Sequence, residues 1–290
     1  MSKRNPVYDF TWCPGCGDFG VKRAIESALV ERSATLSESI ENSAIVAGIG
    51  CSGNLVHLQE GPQPFGIHGI HGRTLPIAYG LKSSRPDLNV LIVSGDGDFL
   101  SIGAEHIGPQ AKRNLDVTVI VMDNGVYGLT KGQASPTTEL EVVTSTTPYG
   151  KLDDQMSPLE TYLAAGVGWL ASSISTQVKA LQQLVVEAMA HPGFSVIHVQ
   201  SPCTTYNDTY AALKGNPKEG IEPLAYPVPE HHDPTDLLSA YGLAKGGRIP
   251  IGMVYQRPDS VPSHTRLEEA RERTGATQKT VDELFTAMVI

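Results

Sequence analysis

The sequence predicts an α/β fold, a doubly wound parallel sheet with an irregular C-terminal extension. Short apolar runs alternate with segments of helical periodicity, the pattern of a parallel sheet wrapped by helices. Glycine-rich turns follow several of these runs, at the strand ends where such sheets bind ligands. After Pro202 the texture changes to Pro, Gly, Thr and Tyr without sustained periodicity.

Four apolar runs predict strands over residues 44–49, 90–94, 117–122 and 195–199. Between them helical spacing predicts helices over 21–32, 75–83, 101–114 and 176–190. In the last, Val178, Leu181, Val185 and Met189 form a stripe that faces a core and needs no functional explanation. Pro158 and Glu160 mark a further helix start, running through Ala165. Residues 203–235 read as irregular chain, followed by a short helix over 234–245, a strand over 249–255 and a charged helix from about 266 to 273. The domain organisation expected is a core domain over 1–200 that binds the cofactor and the metal cluster described below. An extension over 201–290, carrying one cysteine of the set, packs on that core or on a partner.

The 290 residues are 40% apolar and 18% charged, ordinary for a globular protein with a sizeable core. A net charge of −9 without clustered Lys and Arg argues against a nucleic-acid-binding surface. No apolar run reaches the length of a membrane span, and the first ten residues lack the apolar stretch of a signal peptide, so a cytoplasmic protein is expected. In that reducing compartment Cys13, Cys16, Cys51 and Cys203 are not expected to form disulfides; a Cys-x-x-Cys pair there points to redox chemistry or metal ligation.

The run Val90-Leu-Ile-Val-Ser-Gly95-Asp96-Gly97-Asp98 puts a Gly-Asp-Gly turn at a strand's C-terminal end, just before a predicted helix. Glycines let backbone approach a diphosphate, and a helix N-terminus offers free N–H groups. An acid beside a diphosphate is repulsive unless a cation lies between, so Asp96 implies Mg²⁺ or a similar hard ion. Twenty-odd residues on, Asn124 follows another strand; its side-chain oxygen suits a second ligand position and the backbone carbonyl of Val126 a third. Alone, Gly-Asp-Gly is equally a plain turn; with Asn124 at this spacing it reads as a site.

Cys13-Pro-Gly-Cys16 is a tight knuckle, Cys51 follows a strand in Gly48-Ile-Gly-Cys51-Ser-Gly, and Cys203 follows another strand. Four thiolates suit either Zn²⁺ or a [4Fe–4S] cluster, and spacing alone does not choose. Compact zinc sites usually draw on two nearby knuckles, whereas these four come from three distant segments.

Five motifs occur in order: Trp12-Cys-Pro-Gly-Cys-Gly, Gly48-Ile-Gly-Cys51-Ser, His68-Gly-Ile-His71-Gly-Arg73, Gly95-Asp-Gly-Asp98, and Asn124-Gly-Val-Tyr-Gly-Leu-Thr-Lys-Gly-Gln133. The Gly-Asp-Gly and Asn pair resembles the thiamine diphosphate motif of transketolases, decarboxylases and 2-oxoacid oxidoreductases, with Asp123-Asn124 where many members have Asn-Asn. Together the five resemble the β subunit of 2-oxoacid:ferredoxin oxidoreductases, in particular the branch using 2-oxoglutarate or several 2-oxoacids. The likeness runs from about residue 5 to 210 and more loosely through the tail.

That resemblance implies a thiamine diphosphate-binding fold of the diphosphate type, with Gly50, Cys51, Ser52, His68, Gly95, Asp96, Gly97, Asp98, Asn124, Tyr127, Gly128, Leu129 and Thr130 at the cofactor. It implies Mg²⁺ on Asp96, Asn124 and Val126, and a [4Fe–4S] cluster on Cys13, Cys16, Cys51 and Cys203. His71 and Arg73 are the catalytic candidates: a His can donate to a developing alkoxide, and Arg suits a carboxylate or phosphate. Lys131 is a weaker candidate for a distal carboxylate. The expected reaction is coenzyme A-dependent, reversible oxidative decarboxylation of a 2-oxoacid, most of all 2-oxoglutarate to succinyl-CoA and CO2, with electrons leaving to ferredoxin. Pyruvate or a broad 2-oxoacid range is the near alternative; a non-redox thiamine diphosphate decarboxylase with structural zinc, or a zinc-stapled scaffold without catalysis, is the more distant one. Thiamine activation needs a Glu near the aminopyrimidine, and the chain has no length for a second cofactor domain. An α subunit carrying the pyrimidine-binding domain is therefore expected, in an α2β2 assembly.

Overall fold

The computed structural model describes residues 10–277 and 279–288. Its strands are β1 (Ser43–Ala47), β2 (Phe65–His68), β3 (Asn89–Gly95), β4 (Val117–Asp123), β5 (Val126–Tyr127), β6 (Gln133–Ala134), β7 (Trp169–Ile174), β8 (Phe194–Gln200), β9 (Ala225–Pro227) and β10 (Ile249–Gln256). Its helices are α1 (Asp18–Leu36), α2 (Leu55–Leu58), α3 (Thr74–Ser84), α4 (Ile107–Arg113), α5 (Pro158–Ala165), α6 (Val178–Ala190), α7 (Tyr210–Lys214), α8 (Leu237–Ala244), α9 (Ser263–Thr274) and α10 (Val281–Met288).

Eight strands form one sheet in the order β2-β1-β3-β4-β8-β7-β10-β9. Neighbours from β2 to β7 pair in parallel, and β10 returns antiparallel to β7. The predicted strand over 249–255 thus joins the core sheet, so the extension contributes to the same core. Asn114 bolts its next segment down: its side chain donates to Ser260 Oγ and the Val261 carbonyl, each at 2.9 Å, and accepts from Phe194 N at 3.0 Å.

Continuous apolar runs make the central strands because both faces are covered. Ile45, Leu91, Ile120 and Ile197 pack under α1 and α6 on one side. Val46, Ile92, Val119 and Val196 pack under α3, α4, α5 and α8 on the other. Each such fully buried side chain contributes about 1.5–3 kcal/mol of transfer free energy. Helix α5 starts with Pro158 in its first turn, where a missing N–H costs no bond, and ends at Gly166 with φ 87°.

Two expectations change. The helix predicted over 101–114 is broken: a π-helical turn spans Asp98–Ile102, a 3₁₀ turn Ala104–His106, and α4 begins at Ile107. A Cβ on Gly103 would lie 2.6 Å from the Asp98 carbonyl, so the chain bends there to pass the 71–73 turn. Pro109, which lacks the N–H for an interior helical bond, then sits in the first turn of α4. Strand β7 lay unread in the sequence because Ser172 and Ser173, both fully buried, interrupt its apolar run.

Candidate active site

Strand order reverses between β1 and β3, the switch point at which open α/β sheets leave a crevice beyond their C-terminal ends. A cavity of about 140 Å³ lies there, lined by the turns after β1, β3 and β4 and by the 127–130 loop. Gly50, Cys51, Ser52, His71, Gly95, Asp96, Gly97, Asp98, Asn124, Val126, Tyr127, Gly128, Leu129 and Thr130 all line it, so most of the residues singled out in the sequence meet in one place. Ile49 and Met122 line it as well and carried no sequence signal. Gly97 is required by a neighbour: a Cβ there would stand 2.3 Å from the Tyr127 ring.

Two expected residues stand outside that cavity. His68 is exposed at the end of β2, its Nδ1 2.8 Å from His57 Nε2. Arg73 donates to the carbonyls of Gly72 and Ile102 at 3.0 and 2.8 Å and pairs with Glu105 at 3.2 Å. Through Nη1 its guanidinium holds the 71–73 turn against the bent helix. Lys131 lines an adjoining cleft of about 770 Å³ that shares Asn124 and Val126 with the cavity.

The acids of Gly95-Asp-Gly-Asp98 differ sharply. Asp98 accepts from His71 Nδ1 at 2.5 Å, Gly72 N at 2.7 Å, Ile49 N at 3.1 Å and Ser94 Oγ at 2.5 Å. Three of these donors meet Oδ1 and one meets Oδ2, so Asp98 ties three loops together. Asp96 accepts from Thr137 Oγ1 at 2.8 Å, yet the same hydroxyl lies 2.7 Å from Asp123 Oδ1. One hydroxyl proton serves two buried carboxylates. Burial, then the Asp123 charge, push Asp96 above the ordinary carboxylate range, against the hydroxyls of Ser135 and Thr137. Burial also works to raise Asp123, but His198, Thr137 and the Gly125 N–H together hold it below that range. His198 Nε2 donates to Asp123 at 2.9 Å, and its Nδ1 lies 3.2 Å from Tyr162 Oη. This crowding of negative charge beside Asn124 fits a divalent cation. Thr137 and His198 were missed in the sequence; the Asp at 123 was the visible hint that donors must lie nearby.

The thiols form the other rim. The knuckle 13–16 turns through Gly15 at φ 81° and docks on the segment after β8. Gly17 N donates to the Pro202 carbonyl at 3.0 Å, Thr204 Oγ1 to that of Pro14 at 3.0 Å, and Tyr210 Oη to that of Gly15 at 3.0 Å. Trp12 Nε1 reaches the Cys51 carbonyl at 2.8 Å. A Cβ on Gly128, inside the cavity, would lie 3.5 Å from Cys51 Sγ and 3.8 Å from Cys203 Sγ. Burial first, then the Asp18 charge, push the Cys16 thiol well above its usual range and Cys51 up to about 12. Among the described residues no three His, Cys, Asp or Glu side chains crowd closely enough to hold a single metal ion. Thiols from three segments, sharing one neighbourhood at wider spacing, fit a polynuclear cluster, whose positive irons would draw off their protons.

Residues 48–199 match the family model described as the C-terminal TPP-binding domain of thiamine pyrophosphate enzymes. That span holds every cavity segment but only one of the four cysteines, Cys51. The chain is 39% identical over 260 residues, 87% of its length and 83% of the relative's, to a 2-oxoacid:ferredoxin oxidoreductase subunit beta from Sulfolobus. It is 35% identical over 203 residues, 70% of its length and 73% of the relative's, to the 2-oxoglutarate synthase subunit KorB of Archaeoglobus fulgidus. It also superposes with a TM-score of 0.84, at 34% identity, on a solved 2-oxoglutarate:ferredoxin oxidoreductase from Magnetococcus marinus. That structure was determined with 2-oxoglutarate, coenzyme A and succinyl-CoA bound, and the match covers 98% of this chain and 94% of the other.

Proposed function

The chain belongs to the 2-oxoacid:ferredoxin oxidoreductase β subunits, and on that premise we propose that it oxidises 2-oxoglutarate to succinyl-CoA and CO2. The observation carrying the redox part is the position of Cys51, whose residue lines the cavity and whose sulfur neighbours Cys203 across Gly128. A group held by Cys13, Cys16, Cys51 and Cys203 would therefore touch the cavity wall, and a [4Fe–4S] cluster is the group we assign there. Thiamine diphosphate supplies the electron sink for loss of CO2. This chain's part is to bind and orient: Asp96, Asn124 and the Val126 carbonyl would hold Mg²⁺ for the diphosphate, and Tyr127 walls the cavity beside His71 at a ring-centroid distance of 6.3 Å. Lys131, in the adjoining cleft, is assigned to the distal carboxylate of the substrate. Cys13 is exposed, which gives an external ferredoxin a route to the cluster.

An α subunit completes the site in this reading, in an α2β2 assembly. Exposed apolar side chains stand at the cavity: Leu129 lines it at 45% exposure, and Ile70, next to lining His71 in the chain, is 71% exposed. Such a rim suits a permanent protein neighbour. No helix among the described residues is long and apolar enough to cross a membrane, and we place the complex in the cytoplasm. The test is anaerobic reconstitution of separately produced α and β with thiamine diphosphate, Mg²⁺ and coenzyme A, comparing 2-oxoglutarate, 2-oxobutyrate and pyruvate. Dye or ferredoxin reduction fastest with 2-oxoglutarate, and none by β alone, is expected. Preference for pyruvate would overturn the substrate assignment, and turnover by β alone would overturn the division of labour.

A further inference from the structure

Asp98 sits in the cofactor motif, yet four donors of this chain already converge on its carboxylate. An ionised carboxylate only accepts hydrogen bonds. Because Asp98 also receives Ile49 N–H, Gly72 N–H and the Ser94 hydroxyl, its 2.5 Å contact with His71 fixes the proton on Nδ1 of that imidazole. Nε2, on the opposite side of the ring, has no hydrogen-bond partner among the described residues, and the half-exposed imidazole lines the cavity. A tautomer locked by a buried carboxylate leaves one nitrogen, and only one, available to a bound molecule.

We propose that Asp98 is the positioning residue of His71, holding Nδ1 as the proton-bearing nitrogen so that the bare Nε2 is the one nitrogen that takes up and gives back a proton at the cavity. This rests on the reading that a 2-oxoacid reacts there. Nε2 first takes a proton from solvent, giving an imidazolium whose Nδ1–H stays hydrogen-bonded to Asp98. When a nucleophile adds to the keto carbon, the carbonyl oxygen takes that proton from Nε2 and becomes a hydroxyl, leaving Nε2 bare. When the C=O bond re-forms, the proton returns to Nε2. No electron crosses the imidazole, and the step is balanced by one proton in each direction. Gly48 belongs to the device, because a Cβ there would lie within bonding distance of Asp98 Oδ2; the carboxylate is packed as well as bonded in place.

The experiment has two arms. ¹⁵N-histidine NMR of the full chain, with His71→Gln to assign the signal, should show the His71 proton on Nδ1 and a bare Nε2. In Asp98→Ala the same signal should move to a mixture of tautomers. In the reconstituted αβ complex Asp98→Ala should lower kcat by about a hundredfold, the low end for a lost proton carrier, and leave KM within about twofold. His71→Gln should match that loss, and the double variant should be no slower than the worse single, since both act through one nitrogen. If Asp98→Ala fails to fold, Asp98→Asn replaces it. There Oδ1 still accepts from Nδ1, so the tautomer stays, and any loss of kcat must vanish in the His71→Gln background. A neutral wild-type imidazole with its single proton on Nε2 and a bare Nδ1, or losses that multiply in the double variant, would overturn the proposal. The NMR arm needs no substrate, so a wrong substrate assignment and a wrong role for Asp98 give different results.

Discussion

The cavity has two rims built on different principles. The metal rim, around Asp96 and Asn124, comes from the ends of adjacent strands, and the register Gly95↔Met122 and Asp123↔Gln200 fixes its residues side by side. The thiol rim comes from three segments far apart in sequence, held by scattered hydrogen bonds, among them those from Trp12, Gly17, Thr204 and Tyr210. Sheet ladders position the first; tertiary ties position the second. The metal rim should therefore be formed before its ligand arrives, whereas the thiol rim should depend on its bound group for order, as metal-coupled sites do.

Reciprocal variants test that separation most strongly. Cys51→Ala should abolish bound iron and electron transfer while thiamine diphosphate still binds; elemental analysis of the anaerobic wild type should give about four irons per chain, as four thiolates on a [4Fe–4S] centre imply. Asp96→Ala should abolish Mg²⁺-dependent retention of thiamine diphosphate while iron content stays at the wild-type level. Loss of both cofactors in either variant would show one cooperative unit where two are drawn here, and zinc in place of iron would remove the redox reading.

A smaller effect should appear where the rims touch. Asn207 pairs its backbone with Cys203 at 2.9 and 3.2 Å, and its Nδ2 donates to the Asn124 carbonyl at 2.9 Å. Gly125, at φ 67°, has Asn207 Nδ2 only 2.7 Å from where its Cβ would be. Asn207→Ala removes one partly buried hydrogen bond, about 1 kcal/mol, so thiamine diphosphate should bind roughly fivefold more weakly by titration calorimetry. Iron content should fall as well. An effect on the metal rim alone would mean that the backbone pair at Cys203 is sufficient for the thiols.

The two rims were also unequally legible in the sequence. Gly-Asp-Gly and Asn124 could be read because glycine and acid at a strand end have few structural uses, and strand ends themselves are visible as Val/Ile runs. The knuckle Cys13–Cys16 was legible for its spacing. What lay hidden was whatever acts through contact across the sheet. His198 matters only because β8 lies beside β4, and Thr137 only because the loop after β6 reaches Asp123; nothing local in Ser135-Pro-Thr-Thr138 or in the β8 run announces it. The contacts of His68 and Arg73 were hidden for the same reason: His68 meets His57 and Arg73 the Ile102 carbonyl, neighbours that the motif does not name. Asp98 shows the limit most clearly, since two acids two positions apart read alike in sequence and differ by the number of donors folded around them.

The least of the expected effects separates the rims by pH. Asp18, in the first turn of α1, is fully buried beside the thiols, donated to by Ser201 Oγ at 2.6 Å and with Oδ2 unpartnered. Burial raises its carboxyl from the ordinary 3.8 to about 6, with Ser201 opposing. Between those values the folded chain binds more protons than the unfolded one, so unfolding free energy must fall as pH rises. Stability from this group is complete below about 3.8 and is lost as pH climbs through about 6. Asp18→Asn cannot titrate, so the metal-free variant should gain on the wild type steadily from pH 4 to 7 in urea midpoint. Asp96 is raised too, and Asp96→Asn should shift in the same direction. Mg²⁺ with thiamine diphosphate should cancel the dependence due to Asp96 and leave that due to Asp18, because only the metal rim is then filled. Urea midpoints of Asp18→Asn and wild type that run parallel from pH 4 to 7 would remove Asp18 as the source of the slope.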